Sequence, residues 1–123
     1  MTTHVNISGA EHSVIEVLWV NGSMTAEQVA KDLSKSNEWS FATVKTLLSR
    51  LLKKKAITAV PEGRRFIYKA QLSREDYLSV ESKRFVERLF DGRVAPLVSY
   101  FSEAHCLSKE DVDELRDLLD KLP

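Results

Sequence analysis

Between Ser40 and Lys69 the sequence changes its period once, and that change narrows the choice of fold more than any other feature. Val44, Leu47, Leu48, Leu51 and Leu52 recur at i, i+3, i+4, i+7 and i+8, the spacing of one apolar stripe on an α-helix. Ser40 is placed to cap that helix. After Lys55 the helical period stops. Ala56-Ile57-Thr58-Ala59-Val60 and Arg65-Phe66-Ile67-Tyr68-Lys69 are short, rich in β-formers, and flank Pro61-Glu62-Gly63-Arg64, which has turn chemistry. A helix running straight into a β-hairpin is the expected local structure.

Two more helices precede this unit. Ser8 with Glu11 has the form of a capping box, Val14 and Leu18 continue at helical spacing, and Asn21-Gly22 closes the helix. Thr25 with Gln28 opens the next, with Val29, Ala30 and Leu33 inward, before the polar run Ser34-Lys35-Ser36-Asn37. Helix, helix-turn-helix and hairpin, in that order, describe a winged helix-turn-helix over residues 1–71. Trp19 and Trp39 are expected to brace its core.

Residues 72–123 read as helix throughout. Ser73 with Asp76 caps a fourth helix to about Leu89, Phe90-Asp91-Gly92 interrupts it, a shorter helix covers Val94–Phe101, and Ser108 with Asp111 caps the last. Pro96 is tolerable in the first turn of the fifth helix. Three short helices enclose no core of their own, so their apolar residues stay wet unless a second subunit covers them. The expected fold class is therefore mainly α with a small β-hairpin: an N-terminal winged helix and a C-terminal helical dimerisation domain. Tyr77, Leu78, Phe85, Leu89, Leu97, Tyr100, Phe101, Val112, Leu115 and Leu119 are the expected dimerisation residues.

Composition matters here through the distribution of charge. The chain is formally neutral, with 18 basic and 18 acidic residues. Residues 40–70, however, hold eight Lys or Arg and a single acid, Glu62, and no Asp or Glu lies between Glu38 and Glu62. Solvated helices ordinarily mix charge signs, because opposite charges at i,i+4 support a helix and like charges repel. A block this one-sided is an anion-binding surface in waiting. Taken at 100° per residue, the third helix turns Ala42, Thr43, Thr46, Ser49, Arg50 and Lys53 away from its apolar stripe, with Lys45 on a flank. Small residues let a backbone approach a DNA groove. Threonine and alanine methyls suit thymine methyls, and Arg50 suits the edge of a guanine. Lys53, Lys54 and Lys55 are expected on phosphates, and Arg64 and Arg65 beside Gly63 on the sugar-phosphate backbone or minor groove.

Other classes of function find little support. No glycine-rich phosphate loop or nucleophile motif occurs, so no catalytic residue is assigned. No apolar run approaches the ~18 residues of a membrane span, and the first residues lack the pattern of a signal peptide. Cys106 is the single cysteine, which suits a reducing cytoplasm. His105-Cys106 with distant His4 and His12 is not metal-ligand spacing, so neither metal nor cofactor is expected.

The residues resemble the BlaI/MecI-type penicillinase repressors. The similar blocks are Ser8-Gly9-Ala10-Glu11 with Val17-Leu18-Trp19, Val29-Ala30-Lys31-Asp32-Leu33, the run from Trp39 to Leu51, Glu62-Gly63-Arg64-Arg65-Phe66-Ile67-Tyr68, Leu89-Phe90-Asp91-Gly92, and Leu107-Ser108-Lys109-Glu110-Asp111-Val112. The resemblance implies a cytoplasmic homodimer without enzymatic activity, whose third helix enters the major groove of a palindromic double-stranded DNA operator. It makes Thr43, Lys45, Thr46 and Arg50 the helix contacts, with Arg64 and Arg65 on the wing. It also implies an upstream sensor or protease, and inactivation by cleavage before a phenylalanine; the matching bond is Tyr100–Phe101, with Tyr where those members have Asn. The related copper-responsive CopY-like repressors end in a cysteine cluster, whereas this sequence ends in DLLDKLP, and soft-metal sensing needs several thiolates. Two other readings of the same pattern are a protein-interaction winged helix without DNA and a metal-responsive CopY-like repressor.

Overall fold

The structure is a computed structural model and describes residues 5–123; the element order is α1 (Gly9–Asn21), α2 (Ala26–Leu33), α3 (Phe41–Lys53), β1 (Ile57–Glu62), β2 (Arg65–Ala70), α4 (Arg74–Phe90), α5 (Val94–Glu103) and α6 (Lys109–Asp120). The helix starts follow their caps. Ser8 and Thr25 form complete capping boxes with Glu11 and Gln28, and the Ser40 hydroxyl accepts from the Thr43 N–H. The first unit's core is one cluster in which Val14, Ile15, Val29, Leu48, Leu51 and Ala56 are completely buried. Trp19 and Trp39 pack at its edge as expected, Trp19 Nε1 donating to the Leu72 carbonyl at 2.8 Å.

α3 stops in a Schellman motif. The Ala56 N–H returns to the Leu51 carbonyl and the Lys55 N–H to the Leu52 carbonyl, which places Lys55 at φ 63. That reversal sends the chain into β1 with no further loop. β1 and β2 pair antiparallel from Ile57↔Ala70 to Glu62↔Arg65. The turn is thus narrower than expected: Pro61 and Glu62 belong to the strand, and only Gly63 and Arg64 lie between the last pair. Pro61 is tolerated because each strand of a two-stranded ribbon is an edge. Gly63, at φ 64, takes the first loop position, where a two-residue hairpin of the II′ kind requires glycine.

One pairing has no counterpart in the sequence pattern. Met24, between α1 and α2, bridges Tyr68 through both backbone bonds, at 3.0 and 2.7 Å. It ties the hairpin to the helix-turn-helix.

The chain divides into two compact units, through Val80 and from Glu81 onward. The expected boundary lay at residue 71; the division falls inside α4 because the helix's first turns pack with the first unit. Tyr77 stacks on His12, with centroids 5.4 Å apart, and meets Trp19 at 5.7 Å, while Arg74 pairs with Glu16 at 3.0 Å. Tyr77 was expected at a dimer interface, but its ring is engaged within its own chain. In the second unit, α5 and α6 bury no residue, and neither does α4.

Candidate nucleic-acid interface

α3 buries Val44, Leu47, Leu48 and Leu51 and exposes Ala42, Thr43, Lys45, Thr46, Ser49, Arg50 and Lys53. Every residue expected to face DNA from this helix is therefore solvent-facing. Two of the hydroxyls are engaged locally: Thr43 Oγ1 lies 3.0 Å from Ser40 Oγ, and Thr46 Oγ1 donates to the Ala42 carbonyl at 3.0 Å. With the hydroxyls so engaged, the threonine methyls are the groups left to meet a groove. Phe41, which the sequence reading passed over, is exposed at the start of α3, and Lys45 Nζ sits 5.7 Å above its ring. The signal available for it was an aromatic residue four positions before a lysine.

The basic side chains are not balanced from within. Among the described residues, Arg50, Lys53, Lys55, Arg64, Arg65 and Lys69 join no ion pair, and all six are exposed. Arg64 lies in the hairpin turn and Arg65 begins β2. An uncompensated cationic helix beside a cationic hairpin tip is suited to a polyanion.

Lys54 differs from its two lysine neighbours. It was expected on a phosphate, yet its Nζ lies 2.7 Å from Glu11 Oε1, and Glu11 is only 3% exposed. Burial alone would raise the Glu11 pKa. Hydrogen bonds from the Lys54 ammonium and from the Ser8 hydroxyl and N–H, with the charge of Lys54, outweigh it and leave the carboxyl below its usual range. Lys54 is therefore the one lysine of the run that an acid engages within the fold.

A groove of about 420 Å³ in the first unit is lined by His12, Glu16, Val20, Asn21, Asp32 and Asn37. Its acids are already matched, Glu16 by Arg74 and Asp32 by Lys35. Among the described residues no group of three His, Cys, Asp or Glu side chains could hold a metal; His4 lies outside the described residues. Among the described residues no helix is long and apolar enough to cross a membrane.

Of the expected dimerisation residues, Leu78 lies in the first unit and is exposed, as are Phe85, Leu89, Tyr100, Phe101 and Leu119 in the second. Leu97, Val112 and Leu115 are half-buried. Val94, Leu118 and Leu122 are equally exposed apolar residues outside the expected dimerisation set. The Tyr100–Phe101 bond lies inside α5, so a protease that takes its substrate extended reaches it only when that helix opens.

The family pattern described as penicillinase repressor matches residues 7–121. The chain belongs to the penicillinase repressor family. It is 38% identical to the penicillinase repressor of Bacillus licheniformis, over 94% of this chain and 90% of that one. It is 30% identical to the methicillin resistance regulatory protein MecI of Mammaliicoccus sciuri, over 94% of each. Among solved structures, it is similar to the Bacillus licheniformis BlaI monomeric form in complex with the blaP half-operator, at 40% identity and a TM-score of 0.55, over 63% of this chain and 94% of that one. Membership of this family accounts for the winged helix and assigns the chain to regulators rather than enzymes.

Proposed function

We propose that the chain is a cytoplasmic, homodimeric, sequence-specific DNA-binding transcriptional repressor. The observation that carries this reading is the exposed basic face of α3 and the hairpin, in which Arg50, Lys53, Lys55, Arg64 and Arg65 have no acidic partner. α3 enters the major groove with Ala42, Thr43, Thr46 and Ser49 close to the bases, Lys45 on its flank, and Arg50 on a guanine edge. Lys53 and Lys55 meet phosphates past the end of the helix, and Arg64 and Arg65 meet the backbone from the wing. The similarity to a BlaI form described with a half-operator supports one winged helix per half-site.

Dimerisation is the second part of the proposal. Phe85, Leu89, Tyr100, Phe101 and Leu119 leave more apolar surface wet than a small stable unit tolerates, and a second copy covers it with the same residues. No cofactor takes part. Release by cleavage at Tyr100–Phe101 requires α5 to open and an upstream sensor or protease to act.

The test is a fluorescence-anisotropy titration of the full chain on an operator duplex and on a random duplex across a range of salt. Affinity for both falls linearly in log–log form, because each neutralised phosphate releases counterion. Arg50→Ala narrows the gap between the two duplexes by about 1–3 kcal/mol. Failure to bind any duplex at low salt overturns the proposal in favour of a protein-interaction module.

A further inference from the structure

Lys53, Lys54 and Lys55 are adjacent in sequence at the end of α3, yet only the middle one is held by an acid. Glu11 Oε1 receives the Lys54 ammonium at 2.7 Å and the Ser8 N–H at 3.3 Å. Glu11 Oε2 is buried and makes no hydrogen bond among the described residues. A carboxylate 3% exposed, with one oxygen unpaired, depends on this cation, together with the Ser8 hydrogen bonds, for its charged form. Were the ammonium to swing to a phosphate, the carboxylate would be stranded. The Lys54 side chain keeps 35% of its exposure, so solvent already reaches part of it. Lys54 follows the last residue of α3 and Glu11 stands in the first turn of α1, so the pair also pins the end of one helix to the start of the other.

We infer that Glu11 is a positioning residue that withholds Lys54 from DNA, so that the three-lysine run presents two cations to phosphate and indiscriminate binding is held down. The inference rests on the DNA-binding reading above and deepens it. A phosphate contact carries no sequence information, so a third lysine would strengthen binding to every duplex alike. Holding it back preserves the margin of the operator over other DNA.

The experiment compares the full-length wild type, Glu11→Gln, Lys54→Met and the double variant on a random-sequence duplex, reading the slope of log K against log salt. Glutamine retains the capping box with Ser8 while removing the charge, and methionine retains most of the lysine stem. Lys54→Met leaves the wild-type slope unchanged. Glu11→Gln steepens it by about 0.9 for each protomer on the DNA, one phosphate's worth per chain. The double variant returns it to the wild-type value, a pattern that loss of stability alone does not produce. A slope flattened by about 0.9 per protomer in Lys54→Met overturns the inference, since Lys54 would then already be on a phosphate. An unchanged slope in a folded Glu11→Gln overturns it too; if that variant does not fold, Lys54→Met decides alone. Absence of wild-type binding to any duplex would instead defeat the DNA-binding reading itself.

Discussion

Lys55 stands just past the C-cap of α3 at φ 63, a conformation ordinarily left to glycine. A residue with a Cβ loses about 1 kcal/mol there, yet the same residue offers an exposed, unpaired ammonium at the end of the proposed recognition helix. Stability and binding therefore pull in opposite directions at this position. Lys55→Gly is expected to stabilise the fold by about 1 kcal/mol in thermal or denaturant unfolding. It is also expected to flatten the salt dependence of DNA binding by about 0.9 per protomer. A variant that loses stability, or binds DNA with the wild-type slope, contradicts this division. Glu11 carries a second prediction. Its folded pKa lies below the usual 4.5, so the stabilisation from its ionised form is present above that pH and disappears as pH falls through the folded value. The melting difference between wild type and Glu11→Gln is expected to be largest near neutrality and to shrink below pH 4.5; a difference that persists in acid rules out the charged pair as its source.

Elements were legible wherever a local rule specified them. The capping residues of α1, α2, α3 and α6 were read from short motifs, and the apolar stripe of α3 fixed which side of it faces solvent. The hairpin was readable from composition, although its turn proved two residues shorter, because a proline at a ribbon edge looks like a turn residue when its neighbours are Glu and Gly. Three features were hidden for physical reasons. The Met24–Tyr68 bridge is a single pairing and has no period. Tyr77 has the same helical spacing whether it faces a second subunit or the Trp19 and His12 rings. Lys54 could not be told from Lys53 and Lys55, because what separates them is a carboxylate 43 residues away in sequence. Glu11 itself was read only as a capping residue, which it also is.

At the scale of the whole molecule, neutrality conceals an organisation. The middle of the sequence carries nearly all the excess positive charge, and the structure exposes it on α3 and the hairpin. The second unit instead exposes aromatic and aliphatic side chains, surface suited to a copy of itself rather than to DNA. In the proposed homodimer the basic face is presented twice. The most direct test is selection from a random duplex library by the purified full-length chain. The account predicts convergence on an inverted repeat whose half-sites are centred about one helical turn apart, roughly 10 base pairs, or a multiple of that. Enrichment of no sequence, or of a single site without its inverted partner, would contradict it.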